Sequence, residues 1–365
     1  MLPLLVAFIC AFFVAWTYVL YGFVVKALKR YYKPIKKDEL LPTISVIIPA
    51  YNEEKIIEKK LKNTLNLEYP KDKIEIIVVD DGSTDQTSEI ARKFKDVKVL
   101  TIKRSGKNAA INHALLNASG EIVIHTDADC FSLREDALKV VTRNFADLTI
   151  GAVTSGVQFQ KSKSSFINKF FKTAGSRKHS LWMREGLLDS VPSGTGVFLT
   201  FRRNLVPKIN EKCFADDVAI SLLVREQGYR VILEPELEIV TQSPQNTKVW
   251  YNQYLRRTLS GLVTSLNHKH LFFNPKYGWY GLLIFPTRLI FNHLTPFFII
   301  AGIAAIFAMN PAIGAILTGA TLLLALFSFN VQKFIIVQVV NLHVWLNYLL
   351  GRYGPNYWMK EPRNN

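Results

Sequence analysis

At 365 residues the chain has room for about two ordinary domains, and its formal charge of +16 with a pI near 9.6 raises nucleic-acid binding first. The distribution argues against that partner: the bases Lys26, Lys29, Arg30, Lys33, Lys36 and Lys37 directly follow an apolar stretch, where anionic lipid headgroups fit better, and the aromatics lie chiefly in apolar runs rather than along a basic groove. Cys10, Cys130 and Cys213 are far apart, without CxxC or Cys/His spacing, so neither a disulfide framework nor a zinc site is indicated.

In chain order, residues 2–25 carry no charge and are long enough to cross a hydrocarbon core of roughly 30 Å. No basic stretch precedes them and no small-residue cleavage site ends them, so residues 1–26 read as a retained transmembrane helix rather than a signal peptide. The bases that follow place the N-terminus outside and the middle of the chain in the cytosol. From Thr43, short apolar runs alternate with helical stretches: 44–48, then an amphipathic 53–65, then 74–79, 87–94, 108–118 and 121–125. That cadence predicts a parallel α/β sheet of the nucleotide-binding kind, with ligands at the carboxyl ends of its strands.

Acidic residues stand at those ends. Thr126-Asp127-Ala128-Asp129 puts two carboxylates on one side of an extended segment, a donor set suited to Mg²⁺ or Mn²⁺ and to the phosphates such ions bridge. Asp80 and Asp81 either accept hydrogen bonds from a base or ribose, or form a turn whose Asp85 caps the next helix. Lys107, behind Gly106, opens a helix where its ammonium and the backbone amides meet phosphate oxygens, or it is a solvated helix start. Gly194-Thr195-Gly196 either lets backbone approach a ligand closely or is a hairpin turn. Asp216 and Asp217 begin an amphipathic helix; they complement its dipole, or their mutual repulsion raises one pKa, as a general base requires. Gln253-Tyr254-Leu255-Arg256-Arg257 stands just before the membrane region, as a lipid-facing anchor or as a donor to a diphosphate.

Residues 271–287 mix aromatics with polar breaks and read as an interfacial helix. Three apolar runs follow within 288–351, separated by Asn310-Pro311 and by a break containing Lys333, and read as three spans that leave the tail 352–365 outside. Arg352, Lys360 and Arg363 in that tail oppose the positive-inside pattern.

Taken in order, VIIPAYNEE (46–54), VDDGSTD (79–85), GKNAAIN (106–112), DAD (127–129), Gly194 to Gly196 with Arg202 and Arg203, Asp216-Asp217, Gly228-Tyr229-Arg230 and Gln253 to Arg257 resemble the family 2 glycosyltransferases. This is the GT-A fold group that includes cellulose synthase, hyaluronan synthase and dolichyl-phosphate mannose synthase. The resemblance spans about three fifths of the chain and implies a cytosolic GT-A domain over 27–270, within a multi-pass protein of the cell membrane. It implies that Pro49, Tyr51, Glu53, Asp80, Asp81, Lys107, Asp127, Gln253, Arg256 and Arg257 bind the donor, and that Asp127 and Asp129 hold the metal. Gly194, Thr195, Gly196 and Asp216 fall to the acceptor, and Asp217 is the catalytic base. Where the family's motif ends in tryptophan, Arg257 stands here, which speaks against processivity. The expectation is transfer of one hexose from a GDP- or UDP-sugar, first of all mannose from GDP-mannose, to a lipid-linked dolichyl-type glycan, with no nucleic-acid partner. Its rivals are a processive polysaccharide synthase using a UDP-sugar, a dolichyl-phosphate sugar synthase, and a nucleotide-binding membrane partner without catalysis.

Overall fold

A computed structural model describes residues 1–211 and 215–353, with backbone alone over 173–178; Cys213, Lys360 and Arg363 lie outside the described residues. The chain opens with a 30-residue helix, Leu2–Tyr31, made of α1 (Leu2–Ala15) and α2 (Tyr21–Ala27) joined by a π-turn. Then follow β1 (Ile44–Ala50), α3 (Ile57–Leu65), β2 (Ile74–Asp80), α4 (Thr87–Arg92), β3 (Val97–Thr101), α5 (Lys107–Asn117), β4 (Ile122–His125), β5 (Cys130–Ser132) and α6 (Ala137–Thr142). The second half adds β6 (Ile150–Phe159), α7 (Ser165–Leu188), β7 (Leu199–Arg202), α8 (Asp216–Glu226), β8 (Arg230–Thr241) and α9 (Thr247–Asn267), and ends with α10 (Asn292–Met309), α11 (Pro311–Phe327) and α12 (Phe329–Leu349).

Among the described residues eight strands form one sheet in the order β3-β2-β1-β4-β7-β6-β8-β5. The β3-β2-β1-β4 half is parallel, as the strand–helix cadence predicts, and β7 enters antiparallel to both β4 and β6. The unbroken apolar runs of β1 and β2 follow from burial on both faces. Val46 and Ile48 pack toward Ile57 and Leu61 of α3 and Leu138 of α6; Ile47, Ile77 and Val123 pack on the other side toward Ala110, Ile111 and Ala114 of α5 and Ile220 of α8. Chain order reverses between β1 and β4, which opens a crevice at their carboxyl ends.

The edge opposite that crevice is closed by backbone. Glu75 Oε1 accepts from Ser45 Oγ at 2.5 Å and from the Ser119 and Gly120 amides at 2.6 and 3.3 Å. A Cβ on Gly120 would sit 2.6 Å from the backbone of Ile44 and Ser45, too close for any side chain.

Among the described residues two single helices are long and apolar enough to cross a membrane, Leu2–Tyr31 and Tyr280–Met309, each of 30 residues, and the bent pair α11 and α12 passes only when taken together. At 1.5 Å per residue each is about 45 Å long, against a hydrocarbon core of roughly 30 Å. They lie side by side, with Phe13 stacked on Phe298 at 4.7 Å between centroids. The second starts at Tyr280, inside the stretch read from sequence as a separate interfacial helix. Its first residues, Tyr280, Ile284 and Phe285, are buried against Val218 and Leu222 of α8, so tertiary packing continues the helix into the domain. Ser328 leaves the helical conformation (φ −116°, ψ 110°), and α12 turns by 115° from α11. Val340 and Val344 of α12 pack on Leu255, Leu259 and Leu262 of α9, so α12 runs along the domain instead of prolonging the line of α11.

A polar knot joins membrane helix to domain. Buried Glu185 accepts from the Tyr21 hydroxyl at 2.5 Å and lies 3.2 Å from Arg288 Nε. Asp189 accepts from the Tyr280 amide at 3.0 Å and pairs with Arg225 at 3.1 Å.

Gly120→Val is expected to lower stability by about 1–3 kcal/mol through overpacking against the β1 backbone, read as a drop in the thermal midpoint; an unchanged midpoint would mean that the β1–β4 edge can open to admit a side chain.

Candidate active site

The strand ends bring the acidic residues to one place because each strand stops where its next residue must turn out of the sheet. Asp127 stands two residues past the end of β4, Lys107 is the first residue of α5, and Asp216 and Asp217 are the first two of α8. Lys107 Nζ lies 2.7 Å from Asp127 Oδ1 and 2.9 Å from Asp216 Oδ2, so one ammonium joins three elements. About a third of the Lys107 and Asp127 side chains is exposed, while Asp216 is nearly closed off. Burial acts to lower the Lys107 pKa, but the Asp127 and Asp216 carboxylates outweigh it and hold the ammonium charged. For Asp127, burial acts upward and the Lys107 charge overcomes it, leaving the carboxyl below its ordinary value.

Asp217 is the opposite case. Burial, then the neighbouring Asp216 charge, push its pKa up to about 6. Its Oδ2 accepts from the Gly196 amide at 3.1 Å and its Oδ1 from the Val218 amide at 2.9 Å, which fixes the carboxyl at the crevice. A Cβ on Gly196 would lie 3.7 Å from Lys107 Nζ and 3.8 Å from both acids, so the 194–196 loop lies against this charge cluster. Thr195 is held by Thr154 through two contacts of 3.0 Å, and the Gly194 amide donates to Ser221 Oγ at 2.7 Å.

The metal donors form a second group. Asp127, Asp129 and Cys130 offer ligand atoms within 4.8 Å of one another. Burial pushes the Cys130 thiol far up, so it stays protonated and the oxygen donors are the two carboxyl groups. Such an oxygen set fits a hard divalent ion. Behind it, Lys60 of α3, fully buried, donates to Thr126 Oγ1 at 2.9 Å and to the Cys130 carbonyl at 2.5 Å, gripping the segment on both sides of Asp127 and Asp129. Thr126 Oγ1 in turn donates to the Val197 carbonyl at 2.8 Å, tying this segment to the glycine loop.

Of the expected donor residues, Pro49 is the last residue but one of β1, in register with Val79, and Tyr51 lies under the Arg104 guanidinium, 3.8 Å from its ring centre. The amide of buried Glu53 donates to Thr87 Oγ1 at 2.7 Å, and Asp80 accepts from the Ser83 amide at 3.0 Å. Asp81 is fully engaged: it pairs with Arg104 and accepts from the Ser105 and Gly106 amides at 2.7 and 3.0 Å, holding the loop that delivers Lys107. Asp85 accepts from the Thr87 amide at 3.0 Å, but it stands one residue before the N-cap of α4, Gln86, so it is not the cap expected of it. Arg257 lies close enough to Asp127 and Asp217 for its charge to lower both carboxyls, with Gln253 and Arg256 on the same helix.

Three residues here were not anticipated. His125, the last residue of β4, has its Nε2 3.5 Å from Asp216, and burial, then Lys107, push its pKa down to about 4, so it is neutral. Lys60 stands on the buried stripe of Ile57, Leu61 and Thr64, a lysine at an apolar position that helical periodicity marks. Arg104 carries no such signal.

Residues 45–206 match the Glycosyl transferase family 2 model. A probable glycosyltransferase of Bacillus subtilis is 27% identical over 279 residues, 69% of this chain and 65% of that protein. A poly-beta-1,6-N-acetyl-D-glucosamine synthase of Staphylococcus aureus is 32% identical over 216 residues, 56% of this chain and 50% of that one. The chain thus spans half to two thirds of the length of these curated relatives. Among solved structures, a mannosyltransferase from Pyrobaculum calidifontis in complex with GDP-Man and Mn²⁺ superposes with a TM-score of 0.76 at 25% identity, covering 95% of this chain and 99% of that one.

Lys60→Met is expected to weaken Mn²⁺ binding by roughly 10–100-fold, the usual cost of losing a residue that orients metal ligands, read by calorimetric titration; wild-type affinity in a folded variant would show that the 126–130 segment holds its shape without the clamp.

Proposed function

With its 45–206 region the chain belongs to the family 2 glycosyltransferases, and from that premise we propose that it transfers a single mannose from GDP-mannose to a lipid-linked acceptor, with inversion, at the membrane surface. The observation that carries the reaction type is the pair of neighbouring carboxyls with opposite partners: Asp216 is neutralised by Lys107, while Asp217 is left with a pKa near 6. A general base works best when its pKa lies near the operating pH. Support for the donor is the likeness over nearly the whole chain to a mannosyltransferase holding GDP-Man and Mn²⁺.

In the proposed step, ionised Asp217 takes the proton of an acceptor hydroxyl as its oxygen attacks the anomeric carbon. The bond from that carbon to the diphosphate breaks on the opposite face, the electron pair leaving with the nucleoside diphosphate. One displacement inverts the anomeric centre. Lys107 and Arg257 supply positive charge to the departing phosphates. A divalent ion held by Asp127 and Asp129 would add Lewis-acid neutralisation of the same charge. The Gly196 amide keeps Asp217 oriented, and neutral His125 adds no charge behind Asp216. Helices Leu2–Tyr31 and Tyr280–Met309, tied to the domain through Glu185 and Asp189, set the crevice beside the bilayer, which suits a lipid-borne acceptor.

The test is transfer of radiolabelled sugar from a panel of GDP- and UDP-sugars to a membrane lipid extract, with Mn²⁺ or with EDTA, followed by sizing of the product. One metal-dependent addition from GDP-mannose is expected. A ladder that lengthens with time would replace the reading with a polymer synthase like the Staphylococcus aureus relative, and donor binding without transfer would make the chain a non-catalytic partner. Asp217→Asn is expected to leave GDP-mannose binding within about twofold while lowering transfer by about 10²–10⁴; parallel loss of both would make Asp217 structural. Because the folded pKa of Asp217 is raised, its ionisation opposes folding as pH rises above the unfolded value, so the same variant is expected to melt higher than wild type at pH 7 in a thermal scan; a lower midpoint would contradict the raised pKa.

A further inference from the structure

Asp127 has two claimants. Its Oδ1 accepts from Lys107 Nζ at 2.7 Å, and the same side chain stands with Asp129 and Cys130 in the group whose ligand atoms lie within 4.8 Å of one another. A hard divalent ion binds a carboxylate oxygen at about 2.1 Å. A carboxylate is so short that an ion on one of its oxygens stands inside the Debye length, roughly 8 Å, of an ammonium on the other. Ammonium and metal ion therefore compete for one side chain, over the same oxygen or across it.

The fold fixes the terms of this contest. Lys107 is the first residue of α5, and Asp81 holds the turn before it by accepting from the Ser105 and Gly106 amides at 2.7 and 3.0 Å, so the backbone that carries the ammonium is pinned. The second partner, Asp216 Oδ2 at 2.9 Å, is nearly closed to solvent and is backed by His125 Nε2 at 3.5 Å, which makes it the fixed end of the contact. Asp127 and Lys107 are each about a third exposed, so the other end faces the open crevice. The glycine loop lies alongside, where a Cβ on Gly196 would come 3.7 Å from Nζ. A turn of the Lys107 side chain about Asp216 thus releases Asp127, keeps one ion pair and leaves the backbone in place.

A diphosphate is the ligand that favours this turn. Some of its oxygens take the ammonium in charge-assisted hydrogen bonds, and others join the shell of a divalent ion on the acids. One anion then replaces what Lys107 gives up at Asp127 and adds ligands to the ion that takes its place.

We propose that Lys107 couples the two ligands of the crevice: it holds Asp127 against a divalent ion and yields it when a nucleoside diphosphate takes the ammonium, so metal and nucleotide bind synergistically. The identity of the anion rests on the transferase reading above; the contest at Asp127 does not.

Mn²⁺ binding to the full chain in detergent micelles, read from the spin-resonance signal of free Mn²⁺ with and without GDP and corrected for Mn²⁺ held by GDP in buffer, tests the proposal without turnover. In the wild type, GDP is expected to tighten Mn²⁺ binding roughly tenfold, within the usual range of coupling between sites. Lys107→Met and Lys107→Gln, the second keeping a hydrogen-bond donor and dropping only the charge, are expected to bind Mn²⁺ roughly tenfold tighter than wild type without GDP, and to lose most of the tightening by GDP. Arg257→Gln is the control, because its charge also reaches Asp127; it is expected to shift Mn²⁺ affinity by less than about threefold and to keep the GDP effect. Unchanged or weaker Mn²⁺ binding in a folded Lys107 variant, or equal tightening in Arg257→Gln, would overturn the proposal and leave the transferase reading to its own assay. Tighter binding in the Lys107 variants with no effect of GDP or UDP on the wild type would confirm the contest at Asp127, overturn the coupling and count against a nucleotide-sugar donor.

Discussion

The Lys107 ammonium, held between Asp127 at 2.7 Å and Asp216 at 2.9 Å, is the interaction on which the crevice depends. Without a cation there, the end of β4 and the start of α8 would set like charges against each other in a partly dry space, a costly arrangement. With it, Asp127 and Asp216 share one positive charge, and Asp217, one residue further on, lacks an equal partner. The same contact thus assembles the site and separates two adjacent acids into different electrostatic states. Asp81 contributes from a distance, because its grip on Arg104, Ser105 and Gly106 delivers Lys107 to its place.

The two long apolar helices are not a separate appendage. Tyr280, at the root of the second long helix, donates its hydroxyl to the Pro192 carbonyl at 2.9 Å, two residues before the glycine loop that orients Asp217. Glu185 and Asp189, at the end of α7, are tied to Tyr21, Arg288, Arg225 and Tyr280. These helices therefore hold the geometry of the glycine loop. The turn at Ser328 lays α12 along α9 on the domain's side.

Much of this was legible in the sequence, for a reason that can be stated. Parallel strands buried on both faces must be continuous apolar runs, so their ends are marked by the first polar residue, and Asp80, Asp127 and the run before each fall at such ends. Asp216 and Asp217 were readable as a helix start, but two chemically identical residues carry no sign of which one Lys107 will neutralise. Asp81 illustrates the converse: its residue type fits a nucleotide contact, and only the fold reveals that Arg104 and two amides engage it. His125 and Lys60 are polar residues on apolar faces, detectable in principle from periodicity, yet their partners come from elements 66 to 91 residues away. The break between α11 and α12 was legible as a turn near Lys333, but its place at Ser328 and the bend onto the domain were not; packing on α9 decides them.

The central claim is that Asp217 is a base with its pKa raised by burial and by Asp216. The most direct measurement is the pH dependence of kcat/KM for wild type and Asp216→Asn. An acidic limb with an apparent pKa near 6 in the wild type, moving to lower pH in the variant because a neighbouring negative charge is gone and Lys107 is released toward Asp217, is the predicted result. A limb that stays in place in Asp216→Asn, or a rate flat from pH 4 to 8, would contradict it.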